Sequence, residues 1–204
     1  MNKAALIAIV STVSVLLIVL VLFFATSDAD FGDKKREFSE LGGDFTLQSS
    51  EGAVSLSRFQ NKVVVMYFGF LTCPEVCPNS MTIVSSALNK LSPAQLAETQ
   101  ALLVSIDPKR DTPEKLAEYA KFYHQNLLGL TGSKNEIDVV TNQYGAYYNF
   151  TEIEAVTADY GVEHSSRYYV IDRAGNLVTA MRHSTTANEL YAQIIQLLDK
   201  GAAS

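Results

Sequence analysis

Cys73 and Cys77 are the only two cysteines among 204 residues, and they stand four apart in Phe70-Leu71-Thr72-Cys73-Pro74-Glu75-Val76-Cys77-Pro78. A pair at that spacing at a helix start can put both sulfurs on one side, near enough to close a disulfide or to hold one soft metal ion. A helix N-terminus also favours the thiolate, which assists metal capture and redox attack alike. The pair by itself leaves both chemistries open. The discriminating residue type is histidine, because one imidazole added to two thiolates makes a three-coordinate site suited to copper. The chain has three histidines. His124 falls at a predicted helix end, where a cation is mildly stabilised, and His183 follows Arg182 in a polar loop, so both read as non-ligands. His164 lies between an acidic, aromatic stretch and a predicted strand start.

The elements that must position these residues are legible on either side of them. Residues 62–68, Lys-Val-Val-Val-Met-Tyr-Phe, form a continuous apolar and β-branched run of the kind buried on both faces of a sheet, and it points at the cysteines. After Cys77, Pro78 suits a first helical turn, and Met81, Val84, Ser85 and Leu88 repeat at helical spacing. Upstream, residues 44–47 and 53–56 read as a hairpin turning at Glu51-Gly52. Downstream, Ser92-Pro93-Ala94-Gln95 opens a short helix, residues 99–106 a buried strand, and Thr112-Pro113 a helix to about His124 with Leu116, Tyr119, Ala120 and Tyr123 on one face. Ser133 with Glu136 and Thr186 with Glu189 are capping boxes for two further helices, the last burying Leu190, Ile194 and Leu197. Residues 168–172 and 177–181 flank the turn Arg173-Ala174-Gly175-Asn176 and predict a second hairpin. Alternating strands and helices followed by a hairpin and a helix give an α/β layered domain with a mixed central sheet, in the order of a thioredoxin-like fold.

The composition is 48% hydrophobic and 19% charged, enough for one globular domain with a real core. A net charge of -6 argues against a nucleic-acid partner, which needs a basic footprint. Residues 4–25 carry no charge, and about 22 residues at roughly 1.5 Å each reach roughly 33 Å, enough to cross a bilayer core. The run exceeds the apolar stretch of a cleaved secretory signal. Residues 1–26 are therefore expected to be one transmembrane anchor, 27–41 a polar tether and 42–204 the folded domain. A short charged tail ahead of the helix and a lone close cysteine pair place the domain outside a bacterial-type cytoplasmic membrane, on its periplasmic or extracytoplasmic side.

Four stretches stand out in order along the chain: Tyr67-Phe68-Gly69-Phe70 running into Thr72-Cys73-Pro74-Glu75-Val76-Cys77-Pro78, then Val104-Ser105-Ile106-Asp107-Pro108-Lys109-Arg110-Asp111-Thr112-Pro113, then Leu130-Thr131-Gly132, and last Tyr160-Gly161-Val162-Glu163-His164-Ser165-Ser166. On these the chain resembles the Sco (SenC/PrrC) family of membrane-anchored copper-binding assembly factors for cytochrome c oxidase. The resemblance extends over roughly residues 42–198 with the motifs in family order. Glu75 and Glu163 stand where the family commonly has aspartate; the charge is kept, and the geometry around the site and the fit to a partner are what the change touches. The resemblance implies one copper ion, Cu(I) or Cu(II), held by Cys73, Cys77 and His164. It also implies subunit II of cytochrome c oxidase as recipient, with another copper chaperone as a candidate donor.

Other chemistries are weaker. Thioredoxin-type oxidoreductases resemble one another in a Cys-x-x-Cys spacing and a proline opposite the cysteines, whereas this spacing is one residue longer and none of Pro74, Pro78, Pro93, Pro108 and Pro113 lies near His164. A narrow thiol-disulfide reductase or redox sensor using Cys73 and Cys77 survives as the alternative. A purely structural disulfide closing so short a loop removes little unfolded-state entropy. Ser165 and Ser166 beside His164 lack the Gly-x-Ser-x-Gly elbow of a hydrolase. Asp107, Arg110 and Asp111 stand at a strand's C-terminal edge, where ligand sites gather, and read equally as a partner-docking group or as a turn with Asp111 or Thr112 capping the next helix. Tyr144, Tyr147, Tyr148, Phe150 and Tyr160 cluster around a polar insertion and are expected mostly to pack.

Overall fold

Thr46–Ser49 (β1) and Gly52–Ser55 (β2) pair antiparallel with Ser49 opposite Gly52, so the turn is Ser50-Glu51, one residue earlier than the sequence suggests. Gly52 has φ +111°, open to glycine, and it begins the return strand instead of completing the turn. A 3-10 turn, Leu56–Phe59, buries both its terminal apolar residues and leads into β3, Val63–Gly69, every residue of which is buried. These coordinates are a computed structural model that describes residues 40–152 and 160–201 together with positions 2 and 16. The chain divides into two units, Met1–Lys35 and Arg36–Ser204, and every element named here belongs to the second.

Helix α1, Val76–Leu88, follows β3. Then come α2, Pro93–Ala97, with the expected capping box between Ser92 and Gln95, β4, Thr99–Ser105, and α3, Pro113–Tyr123. Strand β5 is Leu127–Leu130, α4 is Lys134–Gln143 with its box between Ser133 and Glu136, and β6, Tyr148–Glu152, pairs antiparallel with β7, Tyr160–His164. The chain closes with β8, Arg167–Ile171, β9, Leu177–Arg182, and α5, Ala187–Gly201.

Five strands form one mixed sheet in the order β5-β4-β3-β8-β9. Strands β3, β4 and β5 are parallel, as their helical crossovers require, and the β8–β9 hairpin adds antiparallel to β3. The central strands β3 and β4 are covered on both faces, which is why they read as unbroken apolar runs. Helix α1 packs on α5, and the apolar residues Met81, Val84 and Leu88 of the one and Leu190, Ile194 and Leu197 of the other are all buried. This is the thioredoxin-like arrangement expected.

Two features were not legible. Strand β5 is four residues, Leu-Leu-Gly-Leu, without a β-branched residue, and Gly129 is there because a Cβ would stand 2.7 Å from both Cβ and carbonyl O of Leu116 on α3. The hairpin β6–β7 carries polar positions such as Asn149 and Glu163, and its strands are seven residues apart in the chain, so it resembles an insertion in the sequence. Among the described residues no helix is long and apolar enough to cross a membrane. The predicted anchor, residues 1–26, and the tether up to residue 39 lie outside the described residues apart from positions 2 and 16.

Candidate metal centre

Where β3 ends at Gly69, the chain leaves the C-terminal edge of the sheet, passes through Phe70 to Glu75 and enters α1. Cys77 lies in the first turn of α1 and Cys73 in the loop before it. The first N–H groups of a helix have no intrahelical acceptor, and Glu75 at the N-cap position offers no side-chain bond. The Cys73 sulfur takes that place: the Cys77 N–H donates to Cys73 Sγ at 3.3 Å. Both cysteines are free thiols, Cys73 8% exposed and Cys77 1%.

The two sulfurs divide one proton unequally. Cys73 is lowered to about 5, first because the Cys77 side chain donates to it and further because backbone N–H groups at the helix start point at it, against the opposing cost of burial. Cys77 is pushed up for the complementary reason, as the donor to Cys73 in a buried position. The shared hydrogen bond thus favours the thiolate at Cys73 and the thiol at Cys77.

His164 ends β7, and its Nε2 lies 3.8 Å from Cys77 Sγ. The rings of Phe70 and Tyr67 stand edge-on to its imidazole with centroids at 5.6 and 6.2 Å. Burial holds the His164 pKa below its ordinary value, so the imidazole is neutral and its lone pair is available. Donor atoms of Cys73, Cys77 and His164 all lie within 4.8 Å of one another. A central ion about 2.0–2.3 Å from each donor, taking zinc distances as a guide, needs donors about 3.5–4 Å apart in a trigonal plane. The Cys77–His164 spacing already meets this.

The walls are tightly held. A Cβ on Gly69 would fall 3.0 Å from Cys77 Sγ, so glycine is what lets the helix start approach the strand. Tyr67 Oη accepts from Ser80 Oγ at 3.2 Å, tying β3 to α1. Asp111, 1% exposed, accepts from the Leu71 backbone N–H at 3.0 Å and from Ser105 Oγ at 2.7 Å, and so fastens the cysteine loop to the end of β4. Burial raises its pKa.

Of the two capping candidates, Thr112 is the cap of α3, accepting from Lys115 N–H, while Asp111 turns inward. Asp107 pairs with Arg110 and takes the turn role. His124 is not the cation expected at a helix end. It is buried, its Nδ1 accepts from Asn126 N–H at 2.9 Å, and burial lowers its pKa, so it is a neutral acceptor. His183 is exposed and lies outside the donor cluster. Ser165 Oγ accepts from Tyr147 N–H at 2.9 Å, a backbone role rather than a nucleophile's. Of the aromatic cluster, Tyr144 is buried, Tyr148 and Phe150 are half-buried, and Tyr147 is exposed. Tyr67 and Phe70, which wall the imidazole, were not singled out as site residues. Their signal was position alone, on the strand that runs into the cysteines.

A mixed thioredoxin-like sheet with a buried dithiol and a neutral imidazole at its C-terminal edge defines a class of soft-metal or thiol-redox proteins. The SCO1/SenC family profile matches residues 33–199, and the chain belongs to that family. It is 36% identical over 139 residues to the mitochondrial SCO1 homolog 1 of Arabidopsis thaliana, covering 68% of this chain and 41% of that protein. It is 36% identical over 140 residues to an SCO2-like protein of Rickettsia conorii, covering 67% of this chain and 66% of that one. The chain thus spans between two fifths and two thirds of the length of these relatives. Among solved structures, the copper-bound ScoI of Arabidopsis thaliana superposes with a TM-score of 0.71 at 32% identity, covering 78% of this chain and 99% of that one.

Proposed function

We propose that the chain is a membrane-anchored copper chaperone that holds one copper ion through Cys73, Cys77 and His164 and helps to fill the dinuclear copper centre of cytochrome c oxidase subunit II. The observation that carries this reading is the convergence of two sulfurs and one neutral imidazole nitrogen within 4.8 Å. Soft thiolates favour Cu(I), and a copper-bound relative with the same fold supports copper as the ion. The oxidase assignment rests on the family resemblance, as does a separate copper chaperone as donor. Residues 1–26 are the anchor and 27–41 the tether, which hold the domain from residue 42 onward on the extracytoplasmic side. The Cys73 thiolate is the first donor to an incoming ion; Cys77 then loses the shared proton, and His164 Nε2 completes the triangle. Release proceeds by stepwise exchange of these donors for the thiolates of the recipient.

The test is an anaerobic Cu(I) titration of the reduced full chain against a competing chelator, with Cys73→Ala and His164→Ala alongside. One tightly held ion per chain, weakened in both variants, is expected. Unchanged affinity in His164→Ala overturns the three-donor site.

A second reading is favoured by the asymmetry of the pair. A thiolate at Cys73, lowered to about 5, beside a protonated Cys77 is also the arrangement of a thiol-disulfide reductase. Cys73 would attack a target disulfide to form a mixed disulfide, and Cys77, losing its proton, would displace the target dithiol and leave a Cys73–Cys77 disulfide. Reduction of an oxidised target peptide in the absence of copper detects this activity.

A further inference from the structure

His164 also forms part of the wall of an open cleft of roughly 390 Å³, completed by Ser165, Ser166, Arg167, Arg182 and His183. Arg167 and Arg182 are directly opposite each other in the antiparallel β8–β9 register. Like charges in that relation cost stability. Both are exposed, and among the described residues neither side chain makes an ion pair or hydrogen bond. No carboxylate lines the cleft. Glu163, the nearest acidic residue in sequence, is exposed, and alternation along β7 sends it to the face opposite His164. In a chain of net charge -6, a repelling guanidinium pair is thus concentrated beside the donor cluster. His164 is half-buried while both cysteines are buried. A ligand seated in this cleft therefore lies beside the imidazole of the cluster.

We propose that the cleft is a docking subsite for an acidic segment of the protein that exchanges its metal with this chain. Guanidinium groups bind carboxylates through paired hydrogen bonds, and a basic rim speeds the approach of an anionic partner, including one that presents thiolates. The role as an exchange surface rests on the copper-chaperone reading. Recognition of carboxylates needs no metal, so the two can fail separately.

The first measurement is binding of two fluorescent, cysteine-free peptides of equal length, one glutamate-rich and one lysine-rich, to the reduced copper-free full chain in detergent at low ionic strength. The acidic peptide is expected to bind on the order of tenfold more tightly than the basic one, with the preference shrinking as salt rises. Arg167→Glu with Arg182→Glu reverses the preference, whereas Arg167→Lys with Arg182→Lys keeps it. Equal binding of the two peptides, or a preference unchanged by charge reversal, overturns the proposal. So does a loss confined to binding of nanodiscs containing phosphatidylglycerol, which would make the surface a membrane contact. A second arm follows Cu(I) transfer from the loaded chain to dithiol peptides flanked by glutamate or by lysine. Faster transfer to the glutamate-flanked peptide is expected, and equal rates overturn the exchange role. A chain that takes up no Cu(I) at all removes the chaperone reading and the exchange role with it, and leaves carboxylate recognition to be decided by the first arm.

Discussion

Asp111 is remote from the cysteines in sequence, yet it fixes the loop that carries Cys73 by accepting from Leu71 N–H and Ser105 Oγ. Replacing it by alanine leaves the buried Ser105 hydroxyl and the half-buried Leu71 N–H without this partner, a loss of about 1–3 kcal/mol. Asp111→Ala is therefore expected to lower the urea midpoint and to weaken Cu(I) binding. Asp111→Asn, which keeps an acceptor oxygen, should recover most of both. An Asp111→Ala variant with wild-type Cu(I) affinity would show that the loop needs no such fastening. The second prediction at this scale concerns the divided proton. With Cys73 lowered to about 5 and Cys77 pushed up, alkylation near neutral pH followed by peptide mapping should label Cys73 first, and comparable labelling of both would contradict the asymmetry. The cysteine pair was legible because its type is scarce and its spacing is chemically specific, whereas His164 was picked out by the resemblance of its surrounding residues to the Sco family and not by any spacing. The roles of Asp111 and of the Tyr67 and Phe70 rings were not, since a carboxylate in a turn motif and aromatics near a strand have many commoner uses. Only the fold aims them at the loop and the imidazole.

At the scale of elements, the capping boxes at Ser92 and Ser133 were readable because each is a local exchange of hydrogen bonds within four residues. Ser133→Ala should cost about 1 kcal/mol of stability, read as a lower denaturation midpoint with Cu(I) binding intact. Strand β5 was not readable, because its identity depends on α3 lying against it. Gly129→Ala would drive a Cβ to 2.7 Å from the Leu116 backbone oxygen, a clash that no side-chain rotation relieves. Overpacking of that kind is expected to cost about 1–3 kcal/mol, well beyond the usual effect of a glycine-to-alanine change in a strand. A neutral Gly129→Ala in the same denaturation assay would mean that α3 can shift away at no cost. The hairpin β6–β7 belongs to the same class: seven residues separate its strands in the sequence, it pairs apart from the main sheet, and Asn149 and Glu163 in it are exposed.

Over the whole molecule, two of the three histidines are held neutral by burial, His124 as an acceptor for Asn126 and His164 beside the sulfurs. Their folded pKa values lie below the unfolded value near 6.5. Above that pH neither state is protonated and the full contribution of the fold is present. As pH falls below it the unfolded chain takes up protons first, and stability declines until the depressed folded values are passed. Urea midpoints of the copper-free chain at about pH 7.5 and about pH 5.5 should therefore differ, and His124→Gln, which keeps an acceptor for Asn126, should narrow the gap. An unchanged gap would place the acid sensitivity elsewhere.

The sequence by itself determined the alternation of strands and helices, the buried central strands, the helix starts and the position of the cysteine pair at a helix start, because each of these is written in residue type and short-range spacing. Tertiary structure decided which histidine meets the cysteines. His164 lies 87 positions beyond Cys77, and its approach depends on β7 and β8 being carried alongside the end of β3. It also decided that Asp111 faces inward and that two arginines confront each other beside the cluster. The approach of His164 and the inward turn of Asp111 arise from contacts between segments far apart in the chain, which no local pattern encodes, and the arginine pair follows from the exact register of the β8–β9 hairpin.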